Sequence, residues 1–209
     1  MPAADALVIR HPGLVDYETA WRDMQTFTNN RDRNTPDELW FLEHPPVFTL
    51  GRNGKQEHLH RTGMIPVINV DRGGQVTYHG PGQLVVYILL DINRRQLGVQ
   101  SLVRILEQSV IDLCADYRID AQRREKAPGV YIGDHKLAAL GLRIRKGCSF
   151  HGLSLNIDMD LAPFSMIDPC GYAGMEVTQL RDLGVESSMQ AITDQLQNHL
   201  EKLLETQGT

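Results

Sequence analysis

An α+β domain, a mixed β-sheet flanked by helices, is the fold class the chain predicts, on three observations. Leu84 to Ile92 is apolar without polar alternation, as a strand covered on both faces requires. Gly133, Asp134 and His135 lie between two apolar runs, the sequence form of a β-hairpin. Ile192, Leu196, Leu200 and Leu203 recur at helical intervals. Strands mixed with helices, hairpins included, point to α+β, and no repeat or low-complexity linker divides the 209 residues, so residues 1–209 are expected to form a single domain.

In chain order, Tyr17, Ala20, Trp21, Met24 and Phe27 have helical spacing, with Asp16 as N-cap. Asn29 to Pro36 reads as a loop, Glu38 to Glu43 and Val47 to Leu50 as short strands broken by Pro45 and Pro46, and Gly51 to Gly63 as a loop. Val67 to Val70 is a short β-branched run ahead of the Leu84 strand. Ser101 is the expected cap of a second helix carrying Leu102, Ile105, Leu106, Val110, Leu113 and Cys114 on one face and ending at Tyr117. Val130 to Ile132 and Lys136 to Ile144 form the predicted hairpin, and Ser149 to Ile157 a further strand. Ser187 with Gln190 has the capping-box spacing for the last helix.

Composition is close to that of soluble folded proteins, with 42% hydrophobic and 22% charged residues. A formal charge of -5 argues against nucleic-acid binding, while Arg143, Arg145 and Lys146 form a local basic cluster suited either to a solvated strand end or to docking an acidic carrier protein. Cys114, Cys148 and Cys170 cannot all pair and lack zinc-site spacing, which fits a reducing compartment and no metal. Met1 to Arg10 has no signal-peptide pattern and no stretch approaches ~20 apolar residues, so a cytoplasmic protein without membrane contact is expected.

Four stretches concentrate chemistry. RGGQVTYHGPGQ, residues 72–83, lies between predicted strands. Its Gly73, Gly74, Gly80 and Gly82 let the backbone approach a ligand, with Arg72, Tyr78 and His79 as polar orienters. It has neither of the common phosphate-loop patterns. KAPGVYIGDHKLAALGLRI, residues 126–144, places Lys136 at a strand start among apolar or small residues, where the side chain either reaches solvent, as most strand-edge lysines do, or is partly desolvated, which would disfavour the ammonium. SFHGLSLN, residues 149–156, sets His151 before Gly152, where a structural histidine is the commoner explanation and a functional one the alternative. IDPCGYAG, residues 167–174, holds Cys170 in a turn between Pro169 and Gly171. A thiol needs a nearby base or cation to act as a nucleophile, and Lys136, His79 and His151 are the candidates.

In this order, and with FTLGR at residues 48–52, these stretches resemble the lipoyl(octanoyl) transferase family over approximately Leu39 to Leu180. The resemblance implies a fold similar to the catalytic domains of biotin and lipoate protein ligases. It also implies octanoyl transfer from octanoyl-acyl carrier protein to a lysine of lipoyl domains, in 2-oxoacid dehydrogenase complexes and the glycine cleavage H protein. Cys170 matches the family's thioester nucleophile and Lys136 its acid/base partner. Arg72, Gly73, Gly74, Gln75, Val76, Thr77, Tyr78 and His79 match substrate-lining segments, as do Ala139, Leu140 and Gly141, and His151, Gly152, Leu153 and Ser154. Backbone N–H groups near Gly74 or Gly141 are candidate oxyanion donors. No cofactor is implied, the expected protein is a monomer, and chain-length choice is expected to reside in apolar pocket walls. A ligase of the same expected fold would need ATP, for which GRNGK at residues 51–55 is the nearest candidate loop. A non-catalytic docking module and a cysteine thioesterase are the remaining readings.

Overall fold

In the computed structural model, which describes residues 6–60, 62–168 and 175–206, two sheets and three helices share the chain. The elements are β1 (Leu7–Leu14), α1 (Tyr17–Asn30), β2 (Asp37–Glu43), β3 (Val47–Leu50), β4 (Val67–Asn69), β5 (Val76–His79), β6 (Gln83–Leu89), α2 (Val99–Asp116), β7 (Gly129–Ile132), β8 (His135–Arg145), β9 (Cys148–Asn156) and α3 (Met189–Thr206). The larger sheet has the order β1-β2-β6-β9-β8-β7, parallel at β1/β2 and antiparallel elsewhere. The smaller sheet is β4-β3-β5, parallel at β3/β4 and antiparallel at β3/β5. The predicted mixed α+β architecture is therefore present, divided between two sheets.

The long apolar run in β6 follows from its position. Leu84, Val86 and Ile88 face a core shared with Leu102, Leu106 and Val110 of α2 and Ile192, Leu196 and Leu200 of α3. Val85, Tyr87 and Leu89 face Ala20 and Met24 of α1. Both faces are thus covered, and polar alternation would leave unpaired groups in one core or the other. Beneath β3 and β5, Phe48, Leu50, Val76 and Tyr78 pack on Met159, Phe164 and Ile167.

Caps and edges differ from the sequence expectation in five places. Asp16 caps α1 as expected, accepting the Thr19 N–H at 3.0 Å, but the helix continues to Asn30. Gly98, without a side-chain bond, is the N-cap of α2 in place of Ser101, because α2 starts at Val99. Ser188 caps α3 by accepting the Ala191 N–H at 3.2 Å, whereas Ser187 accepts the Tyr117 hydroxyl at 2.9 Å. β1 and β5 were not expected as strands. LVIRHPGL is an edge strand whose second half is exposed, so it carries little periodic signal. β5 is four residues long and lies inside the glycine-rich stretch.

Buried Asp37 opens β2 and receives Arg31 at 2.6 Å, Arg94 at 2.7 Å and Arg95, while the Asp91 N–H donates to it at 2.8 Å. This one carboxylate ties the end of α1 to the loop after β6. The Gly133-Asp134 turn joins β7 to β8, with Gly133 at φ +53°. Among the described residues no helix is long and apolar enough to cross a membrane.

Candidate active site

Antiparallel register builds one wall of a cleft. Tyr87 pairs with Gly152 and Gly152 with Gly141, while Val85 pairs with Ser154 and Ser154 with Ala139. Each set therefore forms a row across β6, β9 and β8, and the two rows share a face of the sheet. Opposite them stand Arg72, Gly74, Gln75, Val76, Thr77 and His79, and Tyr17 of α1 closes one side. The cleft, counted together with its opening to solvent, has a volume of about 490 Å³. A smaller cavity of about 290 Å³ is lined by Lys136, Leu137, Gln83, Asn156, Phe164 and Val177 and shares Thr77, Ala139 and Ser154 with the first.

Three stretches distant in sequence thus meet at one place. Of the residues expected to line it, Arg72, Gly74, Gln75, Val76, Thr77, His79, Ala139, Leu140, Gly141, His151, Gly152, Leu153 and Ser154 border the cleft. Gly73 and Tyr78 do not. The Gly73 N–H donates to the Leu142 carbonyl at 2.9 Å, and Tyr78 turns into the small-sheet core against Phe48 and Phe164. Lys136 is 4% exposed, in the adjoining cavity. Cys170 lies outside the described residues. The chain on its C-terminal side runs beside Lys136, whose N–H donates to the Glu176 carbonyl at 2.9 Å and whose carbonyl accepts the Thr178 N–H at 3.0 Å. The other two cysteines are poor nucleophiles, since burial raises the Cys114 thiol to about 12 and that of Cys148 above its ordinary value.

Glycines are required where the walls approach. A Cβ on Gly152 would lie 1.9 Å from the Val86 carbonyl oxygen, and one on Gly141 2.9 Å from that of Gly73. Gly152→Ala is accordingly expected to cost about 3 kcal/mol of stability, because backbone cannot yield as a side chain tip can. Thermal melting of the purified variant checks this, and an unchanged melting temperature would contradict it.

His151 breaks the alternation of β9. Leu153 and Leu155 point into the α2/α3 core, and regular alternation would send His151 the same way. Its φ of +60° instead brings the ring onto the opposite side, stacked on Phe150 at 5.0 Å and edge-on to Tyr87 at 6.2 Å. There His151 Nε2 meets Asp71 Oδ1 at 2.9 Å, and the same oxygen accepts the Trp21 indole N–H at 2.9 Å. Left-handed backbone at a histidine costs about 1–3 kcal/mol, which these contacts offset. Asp71 stays ionised because hydrogen bonds from His151 and Trp21 outweigh its desolvation, so Nε2 carries the proton and Nδ1 is a bare acceptor. Among the described residues, His151 Nδ1 and Gln75 Oε1 are buried without hydrogen-bond partners, and both residues border the cleft. Unsatisfied acceptors at a cavity are what a bound ligand or water would complete.

Behind the cleft is a polar network absent from the sequence reading. The His44 Nδ1–H donates to the Val15 carbonyl and His44 Nε2 accepts the Tyr87 hydroxyl, each at 2.7 Å. His79 Nδ1–H donates to Gln83 Oε1 at 2.7 Å. Arg72 Nη2 donates to the Thr49 carbonyl and hydroxyl, both at 2.8 Å. Tyr17, Arg72, His79, Tyr87 and His151 contribute polar groups to a lining that also holds Val76, Val85, Ala139, Leu140 and Leu153. Tyr17 and Tyr87 escaped the sequence reading because each occupies an ordinary core position of a helix or strand. The hydroxyl of Tyr87, alone in an apolar run, was the available signal.

Burial depresses the imidazoles of His44, to about 4, of His79, well below 6.5, and of His151. The unfolded chain then binds protons that the folded chain does not. Stability is full above the unfolded value of 6.5 and falls as pH drops from there toward the folded values. Urea unfolding between pH 6.5 and 4.5 should show this decline, and His44→Gln should flatten the slope by up to about 1.4 kcal/mol per pH unit. An unaltered slope in that variant would remove His44 from the account.

The family described as the lipoyl protein ligase A/B catalytic domain matches residues 16–201. The chain is 58% identical over 196 residues to an octanoyltransferase of Laribacter hongkongensis, covering 94% of this chain and 95% of that protein. It is 60% identical over 198 residues to one from Shewanella oneidensis, covering 95% and 91%. Among solved structures, a putative lipoate protein ligase from T. acidophilum with bound lipoic acid superposes with a TM-score of 0.77 at 16% identity, over 96% of this chain and 86% of that one. A biotin protein ligase from Aquifex aeolicus in complex with biotin and ATP gives a TM-score of 0.61 at 11% identity, covering 96% and 70%.

Proposed function

Since this chain belongs to the lipoyl protein ligase A/B catalytic-domain family and, within it, to the octanoyltransferases of lipoate biosynthesis, we propose that it acts by two-step acyl transfer through a thioester on Cys170. The Cys170 thiolate attacks the carbonyl carbon of octanoyl-acyl carrier protein, the carrier thiol leaves, and an octanoyl-enzyme forms. A lysine amine of a lipoyl domain then attacks that thioester, returning Cys170 to its free form and giving the amide. Lys136 takes the Cys170 proton and delivers it to the departing carrier sulfur in the first half, then takes a proton from the attacking amine and returns it to the Cys170 sulfur in the second. Acceptors are lipoyl domains of 2-oxoacid dehydrogenase complexes and the glycine cleavage H protein. The enzyme works as a monomer in the cytoplasm, without a cofactor, because a thioester is already activated.

The observation that carries this reading is the buried Lys136 in a cavity that adjoins the cleft, the two sharing Thr77, Ala139 and Ser154 in their linings. Glu176, bonded to the Lys136 main chain, is six positions beyond Cys170, which limits their separation to about 20 Å. From Lys136 to Gly141, β8 runs five residues, roughly 17 Å, along which a medium acyl chain has room to lie. Burying six methylenes contributes up to about 5 kcal/mol, enough to favour medium chains over short ones. N–H groups at Gly74 or Gly141 are the candidate oxyanion donors.

Intact-mass measurement after mixing with octanoyl-acyl carrier protein, without ATP, tests the proposal. One octanoyl unit mapped to Cys170, lost on adding a lipoyl domain as the amide appears, is the expected result. Product only from free octanoate with ATP would establish ligase chemistry instead. Octanoate release at one rate with or without lipoyl domain would establish a thioesterase.

A further inference from the structure

We infer that Tyr131 is a positioning residue for Lys136, its ring holding the lysine ammonium in the cavity that adjoins the cleft. The inference rests on the reading of Lys136 as partner of the Cys170 thiol, and four features of the β7–β8 hairpin carry it.

First, Tyr131 and Lys136 are direct cross-strand partners, and the register slips between Val130 and Tyr131, so that Val130 pairs with Ala138 while Tyr131 pairs with Lys136. Such an irregularity re-aims side chains, and here it sets the lysine opposite the ring. Second, Lys136 Nζ lies 5.3 Å from the Tyr131 ring centroid, within cation–π range, and Tyr131 has no exposed surface. Third, the slot is shaped to this ammonium. A Cβ on Gly129 would stand 2.5 Å from Lys136 Cε and 3.2 Å from Nζ, and Gly129 has φ +145°, so only glycine fits. The Gly129 N–H donates to the buried Glu107 carboxylate at 3.0 Å, which also pairs with Arg123 at 3.1 Å. Fourth, the ring itself is fixed. Its hydroxyl donates to the Ala127 carbonyl at 3.1 Å, and its main chain exchanges two bonds of 2.9 Å with Gln122.

A second cation, Arg124, lies 4.6 Å from the same ring centroid, but its guanidinium is also bonded to the Asp134 carboxylate and, at 2.7 Å, to the Gly133 carbonyl. Among the described residues, the slot is bordered by Glu107 and Arg123 behind Gly129, by Arg124 and Asp134 at the turn, and by the exposed Glu176, which His135 meets at 2.6 Å. An ammonium taken out of water loses hydration, which favours the neutral amine. The ring's negative face restores part of that loss. Weakening the face should favour the neutral amine, withdraw the cation from the thiolate, and move thiol ionisation to higher pH.

The rate of Cys170 alkylation by iodoacetamide, followed against pH and located by peptide mass, reads this directly. Three proteins are compared: the natural chain, Tyr131→Phe, and the chain carrying a ring-trifluorinated phenylalanine at position 131. The fluorinated ring keeps its shape but loses most of its negative face, so a merely structural role would not separate it from phenylalanine. Tyr131→Phe should leave the profile in place, and the fluorinated ring should displace it upward by about half a pH unit or more. Coincident profiles for the two phenylalanine rings would overturn the inference, as would an equal displacement in both. A natural chain whose Cys170 reacts no faster than Cys114 at neutral pH would remove the thiol–lysine pair itself, and with it any role for Tyr131 toward it.

Discussion

Cys170→Ala should reduce octanoyl transfer by at least about 10⁴-fold, because removing a nucleophile leaves only substrate binding and oxyanion stabilisation. The octanoyl adduct detected by intact mass should vanish with it. Cys114 and Cys148 provide the contrast. Both are free and buried, with thiols raised by desolvation, so neither has the ionised sulfur that attacks a thioester. Cys148→Ala, at the first residue of β9 and at the opposite end of the strand from the rows of Gly152 and Ser154, should therefore still give the adduct. Persistence of a protein-bound octanoyl group in Cys170→Ala, at a rate near that of the natural chain, would show that another residue takes the acyl group.

Lys136→Ala should lower the transfer rate by about 10²–10⁴-fold, the range for loss of a positioned acid/base. The physical reason is double. The thiol loses the group that takes its proton, and the thiolate loses a neighbouring cation in a cavity where water does not substitute for it. Lys136→Arg separates the two. It keeps a charge but cannot release a proton near neutral pH, and its fork must fit a slot already tight against Gly129. We expect Lys136→Arg to retain part of the iodoacetamide reactivity of Cys170 while remaining severely impaired in octanoyl transfer. Single-turnover measurement of both steps checks this. Transfer at the natural rate by a folded Lys136→Ala protein would end the assignment.

Periodic elements were legible from local pattern. The β6 run, the β7–β8 hairpin and the amphipathic α3 each bury one or two faces, and burial writes itself into spacing. Cap residues were less so. Ser101 and Ser187 are good caps by type, yet α2 starts ahead of the first, and the second is drawn away by the Tyr117 hydroxyl, leaving Ser188 to cap α3. Type alone does not choose between adjacent candidates when a distant side chain competes. β1, an exposed edge containing Pro12, and β5, a short strand among glycines, gain their order from partners: β1 from β2, and β5 from β3.

The candidate site divides in the same way. Residue types in the 72–79, 139–141 and 151–154 stretches left a purely structural reading open, and it was their order, as a resemblance to the lipoyl(octanoyl) transferases, that marked them as candidates to line a substrate site. Tyr17 and Tyr87 carried no comparable signal. Nor could spacing foretell that His151 would cross to the other side of its strand, since that depends on Asp71 and Trp21, which are 80 and 50 positions away from His151 and Asp71 respectively. The motifs and their chemistry were thus inherent in the order of amino acids. Their convergence was not, because the pairing of Gly152 with Gly141 and Tyr87, and the burial of Lys136 against Tyr131, depend on registers between strands that local periodicity leaves free.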